Sequence, residues 1–281
     1  MIRVFPRLTN ATPTDKKVFD DGPPLIALED REVHVSCTFT YDKYKAEGLA
    51  ELWSQQGYNV TIGGPAYNDP GSDFVPGLYI AKGHVFTSRG CNNNCWFCYT
   101  PKREGAVREL PIVEGWRVLD SNLLQCSERH IKKVFEMLSR QPIPVSFLGG
   151  LEARLLEDWH VDLLAKLPAI AQCYLAYDTM NDYEPLVIAA AKIFKAFNPA
   201  SHRFSCYVLI GYKGDIISAA ERRLNHVMAL GFVPFAMLYR DEKGLRDPAW
   251  IQFQAHWANP TKIYGLKRTD STVELFNSVD R

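Results

Sequence analysis

The chain has 281 residues, of which 47% are hydrophobic and 23% charged, and its formal net charge is zero. This composition is that of a globular protein with a substantial core, and the length suits one large α/β domain, alone or with a small appendage. The neutral balance argues against a protein that holds long nucleic acid through a broad basic field, and no run of 18 apolar residues is present that would predict a membrane span.

The cysteine content indicates a reducing environment. Seven cysteines occur, an odd number, and only Cys91, Cys95 and Cys98 lie close together in the sequence. A disulfide framework is therefore a poor interpretation. The N-terminus lacks the apolar core of a signal peptide. We expect a cytoplasmic protein with reduced thiols and no membrane partner.

The N-terminal region, residues 1–82, is predicted to be a short α/β region behind an irregular start. Its first thirty residues are rich in Pro, Thr, Asp and Gly, which predicts a loop. Residues 33–41 and 58–62 are predicted strands. Residues 42–56 are a predicted helix, with Asp42 as its N-cap.

From residue 83 onward the sequence alternates between strands and amphipathic helices, which favours a parallel sheet with right-handed crossovers. We assign residues 83–240 to this domain and residues 241–281 to a C-terminal extension that packs on it. Aromatic side chains in the extension either close the open side of the sheet or simply pack in the core. The six predicted strands cover residues 84–88, 116–120, 145–148, 173–177, 204–210 and 232–239.

Residues suited to ligand binding follow five of these strands. In barrel-like βα folds the active site lies at the C-terminal ends of the strands, so we predict that these residues share one cleft. They are the cysteine loop at 91–98, Asp120 and Asn122, Gly149 and Gly150, Asp178, and the segment from Gly211 to Asp215.

The cysteine loop carries the strongest chemical signal in the sequence. Its C-x3-C-x2-C spacing places three thiolates on one short segment, and soft thiolate ligands select iron–sulfur clusters, copper(I) or zinc. A structural zinc site is usually closed by four ligands. No fourth Cys or His lies in this loop. Three ligands leave one metal position open, as chemistry at a metal requires.

This spacing, with the aromatic Phe97 just before the last cysteine, resembles the signature of the radical SAM superfamily. The resemblance covers about residues 83–240 and implies a partial (βα)6 TIM-like barrel. It also implies a 4Fe–4S cluster held by Cys91, Cys95 and Cys98. In the family, the fourth iron binds S-adenosylmethionine (SAM), which an electron splits into methionine and a 5′-deoxyadenosyl radical.

The resemblance also implies roles for residues outside the cysteine loop. Phe97 is expected to lie against the SAM adenine, and Gly211 belongs to a turn that passes near it. Asp178 is expected near the SAM ribose or methionine, with helix capping as the alternative. Arg203 is a candidate partner for the SAM carboxylate. Two segments are candidates for the contact with the SAM amine, which the family makes through a Gly-Gly-Glu-like stretch after the second strand. Asp120 and Asn122 match the position of that stretch, whereas Gly149, Gly150 and Glu152 match its amino-acid sequence.

Residues 33–65 resemble a fragment of the Rossmann-like domain that precedes the barrel in cobalamin-dependent radical SAM proteins. The cobalamin motif Asp-x-His-x-x-Gly is absent, and the region is much shorter than that domain. We interpret it as a Rossmann-like remnant and expect no bound cobalamin.

The resemblance implies hydrogen abstraction from a small-molecule, peptide or nucleotide-derived substrate, with an electron donor such as flavodoxin or ferredoxin. Substrate and product stay open, and we expect no nucleic-acid partner. Two alternatives remain: a radical SAM enzyme that modifies nucleic-acid bases, and a non-catalytic module that binds zinc or an iron–sulfur cluster.

Overall fold

A computed structural model describes residues 1–26, 28–69, 74–198, 202–241, 244, 247–258 and 263. The chain divides into two compact units. Unit 1 comprises Met1–Ile143 with Glu242–Gly244, and unit 2 comprises Pro144–Asp241 with Leu245–Arg281. Among the helices in the described part of the chain, none combines the length and the apolar character needed to cross a membrane.

Unit 1 begins with a four-stranded parallel sheet in the order β2-β1-β3-β4. Its strands are β1 (Ile2–Val4), β2 (Val18–Phe19), β3 (Glu32–Ser36) and β4 (Asn59–Gly63). The prediction of irregular structure for the first thirty residues holds for most of them but missed the short strands β1 and β2. β1 is only three residues long, and it is stable because β2 and β3 pair with it on both sides and its side chains are buried.

One helix, α1 (Lys43–Gln55), covers this sheet and buries Ala46, Leu49 and Trp53. Asp42 occupies the N-cap position, but its carboxylate accepts no hydrogen bond from the helix. Both of its oxygens instead accept from the Arg7 guanidinium at 2.7 Å. The predicted capping role of Asp42 is therefore wrong, because a charged donor occupies both carboxylate oxygens.

The rest of unit 1 carries the cysteine loop between short elements. β5 and β8 pair in parallel, and β6 and β7 form an antiparallel hairpin that the sequence did not predict. The Ser127 hydroxyl accepts from the backbone N–H of His130 and so caps helix α3. The elements are β5 (His84–Val85), β6 (Ser88–Arg89), α2 (Thr100–Glu104), β7 (Arg108–Glu109), β8 (Arg117–Val118) and α3 (Glu128–Ser139).

Unit 2 alternates strands and helices as the sequence predicted. All three strand pairings within it are parallel. The helices α4, α5 and α6 bury apolar side chains between the strands they connect. The elements are β9 (Val145–Phe147), α4 (Asp158–Ala165), β10 (Ile170–Ala176), α5 (Tyr183–Ala196), β11 (Phe204–Ile210), α6 (Ile217–Ala229), β12 (Val233–Leu238) and α7 (Pro248–Trp257).

Six strands make one sheet in the order β12-β11-β10-β9-β8-β5. This order follows the chain once the hairpin is set aside, and the six strands correspond to the six that the sequence predicted. The mixed α/β class and the six-stranded parallel sheet are therefore confirmed.

Candidate iron–sulfur site

The three clustered cysteines lie on one partly exposed loop between β6 and α2. The loop turns tightly before its last cysteine, since the N–H of Cys98 donates to the carbonyl oxygen of Cys95 at 3.0 Å. Its first cysteine is tied to the far end of the loop, because the N–H of Cys91 donates to the carbonyl oxygen of Gly105 at 3.1 Å. The cysteines thus occupy the tip of a closed loop.

The β6–β7 hairpin closes the base of this loop, and two groups make the closure specific. Gly90 has φ +83°, and a Cβ atom there would lie 2.2 Å from the carbonyl oxygen of Ala106. Only glycine fits such a close approach of two backbone segments. The buried Glu104 carboxylate accepts from the N–H of Gly90 at 3.1 Å and pairs with the guanidinium groups of Arg103 and Arg89.

Asp120 anchors the strand that leads into the loop. Its carboxylate is buried and accepts from the N–H and hydroxyl of Thr87 at 2.6 and 2.5 Å, and from the Ser88 hydroxyl at 2.7 Å. Burial raises the pKa of Asp120, and these hydrogen bonds oppose that shift. The Asp120 carboxylate is thus enclosed and bonded to its own chain, and its contact with the SAM amine stays a prediction.

Asn122 and Gln125 connect the next segment to the loop. The side-chain N–H of Asn122 donates to the Cys91 sulfur at 3.8 Å. The side-chain oxygen of Gln125 accepts from the N–H of Asn92 at 2.7 Å, and its side-chain N–H donates to the Asn93 side-chain oxygen at 3.1 Å. The short turn Leu123–Gln125 is thus docked against the first half of the loop.

Two aromatic residues precede the last cysteine. Phe97, the predicted adenine contact, is half-buried and packs edge-on against Trp96 with ring centroids 5.3 Å apart. The Trp96 side chain is 56% exposed. An apolar, partly exposed surface therefore flanks Cys95 and Cys98.

The other four cysteines are poor ligand candidates. Burial raises the pKa of Cys37 and Cys126 to about 11 and raises that of Cys173 and Cys206 as well. The thiolate is the form that binds metals. All seven cysteines lie in the described residues, and none forms a disulfide.

The donor set of the loop suits an iron–sulfur cluster. In the described part of the chain, no three His, Cys, Asp or Glu side chains are already arranged around a common metal position. The fit rests instead on chemistry: three thiols lie on one accessible loop, and N–H groups of Asn93 and Asn122 point at the Cys91 sulfur. Such N–H contacts to ligand sulfurs are typical of iron–sulfur sites.

In unit 2, the predicted residues Gly149, Gly150 and Glu152 follow the carboxyl end of β9. Gly150 has φ +92°, a conformation that glycine adopts without strain. The next residue, Leu151, donates its N–H to the carbonyl oxygen of Tyr174 at 2.7 Å and so ties this turn to β10. Glu152 is partly exposed and begins a short turn.

Asp178 follows β10 and accepts from the N–H of Leu209 at 3.1 Å. Burial, with a smaller contribution from the nearby Asp182 charge, raises its pKa to about 6. Asp178 does not cap a helix; Thr179 holds that position at the following turn. A carboxyl group with a perturbed pKa at a strand end is a candidate for ligand contact or proton transfer.

Gly211, after β11, belongs to a turn held by a buried ion pair. The Asp215 carboxylate accepts from the N–H of Gly211 and from the Arg223 guanidinium, both at 2.9 Å. Asp215 is therefore not the N-cap of α6, because Ile216 occupies that position. A Cβ atom on Gly211 would meet Leu238 and the Trp250 ring, so α7 packs closely on this turn.

Arg203 does not join this group. It precedes the first residue of β11, whereas Gly211 follows the last, so the length of the strand, about 25 Å, separates them. Arg203 therefore lies at the amino end of β11, and its pairing with the SAM carboxylate stays a prediction that this position does not support.

Sequence reasoning missed Glu104 and Gln125. Neither lies in the cysteine motif or at a predicted strand end, and a single Glu or Gln outside a motif does not indicate a functional role in the sequence. Ser88 and Thr87, the partners of Asp120, were placed in a predicted strand with no role. Their function depends on contacts over more than 30 residues of sequence.

A scan of family models and searches of curated proteins and solved structures found no match to this chain.

Proposed function

We propose that this protein is a radical SAM enzyme in which Cys91, Cys95 and Cys98 hold a 4Fe–4S cluster. The observation that carries the proposal is the cysteine loop itself. It presents three thiols at the tip of a loop whose base is fixed by the Asp120 and Glu104 carboxylates. When bound, the cluster and SAM supply the reductive cleavage that yields a 5′-deoxyadenosyl radical.

Other residues of the chain hold the cysteine loop in place and shape its surface. Asp120 and Glu104 hold the two ends of the loop, and Gln125 holds its first half. Phe97 and Trp96 give the loop an apolar flank that excludes water from part of its surface. These groups keep three ligands accessible while satisfying the polar atoms around them.

SAM would need polar contacts for its amine, carboxylate and ribose. Asn122, beside Cys91, is one candidate, and the contacts of Glu152 and Asp178 with SAM stay predictions from the sequence. Gly149 and Gly150 lie in the turn after β9, and Gly211 lies in the turn after β11, on which α7 packs closely. We include in the proposal that the six-stranded parallel sheet belongs to a partial (βα)6 barrel and that the N-terminal sheet is a Rossmann-like remnant.

The proposal includes a cytoplasmic setting and a flavodoxin- or ferredoxin-type electron donor. Seven cysteines without a disulfide suit a reducing compartment. The proposed substrate is a small molecule, a peptide or a nucleotide-derived compound, as expected from the sequence.

The experiment is anaerobic reconstitution with iron and sulfide, followed by metal analysis and visible absorption. Wild-type protein should bind about four irons and four sulfides per chain, as one 4Fe–4S cluster requires. Alanine at Cys91, Cys95 or Cys98 should abolish this. Cys126→Ala is the matched control and should load normally, because burial raises the pKa of that thiol to about 11. One zinc and no sulfide per chain would favour the metal-binding module instead.

A further inference from the structure

The strand-end residue Asn122 has a contact that its predicted role does not explain. Its side-chain N–H donates to the sulfur of Cys91 at 3.8 Å, and the backbone N–H of Asn93 donates to the same sulfur at 3.4 Å. Sulfur hydrogen bonds are longer than those to oxygen because the sulfur atom is larger. Cys91 therefore receives two N–H donors, and one of them belongs to a side chain.

The surrounding structure fixes Asn122 in this position. The side chain is only 4% exposed, and two residues earlier Asp120 is locked to Thr87 and Ser88. Immediately after it, Leu123 and Leu124 are buried in the turn that follows. Asn122 is thus held between an anchored carboxylate and two buried leucines, and its amide has little room to turn from the sulfur.

An N–H donor on a ligand sulfur has a definite electrostatic effect. Reduction adds negative charge to an iron–sulfur cluster, and part of that charge resides on the thiolate sulfurs. A hydrogen bond to sulfur stabilises the reduced form more than the oxidised form, so it raises the reduction potential. Low solvent exposure strengthens the effect, because water screens the bond less.

We propose that Asn122 is a positioning residue that raises the reduction potential of the cluster through its hydrogen bond to Cys91. This inference rests on the proposed function, since it needs a cluster on the cysteine loop. Asn122 is then not a metal ligand, and its effect acts through Cys91. An amide suits the task because it donates to sulfur without adding charge beside three thiolates, whereas a carboxylate there would repel them.

The test is the midpoint potential of the reconstituted protein, measured by redox titration with EPR detection of the reduced cluster. Asn122→Leu removes the donor at nearly constant volume, and Asn122→Asp also adds a negative charge. The potential should fall in the order wild type, Leu, Asp. We expect the Leu variant to lose about tenfold in the equilibrium constant for one-electron reduction, which corresponds to 59 mV.

The matched control is Asn94→Leu, an exposed asparagine in the same loop. It should keep the wild-type potential. A purely structural role of Asn122 would lower the amount of cluster bound and leave the potential of the remaining cluster unchanged. That result, or a higher potential in either Asn122 variant, would overturn the inference.

A second measurement needs no variant and covers the case in which neither Asn122 protein takes up iron. Wild-type protein is labelled with ¹⁵N only in the asparagine side-chain amide, which leaves the backbone donor of Asn93 unlabelled. Pulsed EPR of the reduced cluster should then show a ¹⁵N coupling of hydrogen-bond strength from Asn122, because the side chains of Asn92 and Asn93 bond to Val107 and Gln125 instead and that of Asn94 is exposed. Its absence in loaded protein would overturn the inference, whereas a wild type that binds no iron would overturn the proposed function itself.

Discussion

Asp120 and Asp178 are two enclosed carboxyl groups with different numbers of hydrogen-bond partners. Asp120 accepts from two side-chain hydroxyls and a backbone N–H, whereas Asp178 accepts from the N–H of Leu209 and faces the nearby charge of Asp182. The first arrangement holds a loop in place. The arrangement around Asp178 disfavours the charged form of its carboxyl group. A substitution at either aspartate therefore has a measurable effect.

Asp120→Ala should destabilise the protein and weaken cluster binding together. The change leaves the donors of Thr87 and Ser88, both fully buried, without their acceptor. A cost of about 2–4 kcal/mol in the free energy of unfolding is expected from buried donors left unsatisfied. Urea denaturation measures this cost, and iron analysis measures the loss of cluster. The control Asp20→Ala, at an exposed position, should change stability by less than about 0.5 kcal/mol.

Asp178→Asn should change how stability depends on pH. The folded-state pKa of about 6 lies above the ordinary value of 3.8. At a pH between these two pKa values, Asp178 is ionised in the unfolded chain but still protonated in the folded protein. The free energy of unfolding therefore falls as the pH rises from 4 to 6. The full penalty, roughly 2–3 kcal/mol, applies above pH 6.

Asparagine keeps the acceptor for Leu209 and cannot ionise. The variant should therefore match wild type near pH 4 and exceed it by that penalty at pH 7, measured by urea denaturation at both values. A difference between variant and wild type that stays constant with pH would show that Asp178 ionises normally in the folded protein.

At the scale of secondary-structure elements, the β6–β7 hairpin determines whether the cysteines can be presented as one loop. Its pairing depends on Gly90, whose backbone approaches that of Ala106 closely. Both strands are two residues long. Their stability therefore comes from the contacts of Glu104 at the loop base rather than from their own hydrogen bonds.

Gly90→Ala should cost about 3 kcal/mol or more, because the added Cβ atom would lie 2.2 Å from a backbone oxygen and φ is +83°. The variant should also lose the cluster. Gly48→Ala is the contrasting substitution: it lies within α1 with no atom within 4 Å of the new Cβ, so it should stabilise by about 0.5–1 kcal/mol. Equal effects in thermal denaturation would contradict this account of the hairpin.

The same elements show what the sequence could predict. The strands and helices of unit 2 have strong apolar periodicity, and their order was predictable from it. β1, β2, β6 and β7 have two or three residues each, too few for a pattern to emerge. Such strands form because partners distant in the sequence bind them, and that information does not lie in the local sequence.

Within the candidate site, the sequence located the three clustered cysteines but not the residues that support their loop. The spacing of Cys91, Cys95 and Cys98 is local and visible in the sequence. Asp120 was recognised as special, but only the structure shows that its carboxylate is enclosed by Thr87 and Ser88. The sequence also did not show that Arg203 lies at the amino end of its strand, away from the residues that follow strands.

At the scale of the whole molecule, the chain combines a four-stranded parallel sheet at its N-terminus with a six-stranded parallel sheet. The order of the six strands follows the chain, as expected for repeated strand–helix units. The cysteine loop follows the first of these strands, and Asp178 and Gly211 follow later ones.

The central claim is that the cysteine loop supports reductive cleavage of SAM. The most direct test incubates anaerobically reconstituted, dithionite-reduced protein with SAM and quantifies 5′-deoxyadenosine by chromatography and mass spectrometry. We predict that wild type and Cys126→Ala form 5′-deoxyadenosine and that Cys91→Ala, Cys95→Ala and Cys98→Ala do not. Folded wild-type protein that carries its iron and sulfide yet forms no 5′-deoxyadenosine would contradict the proposed function.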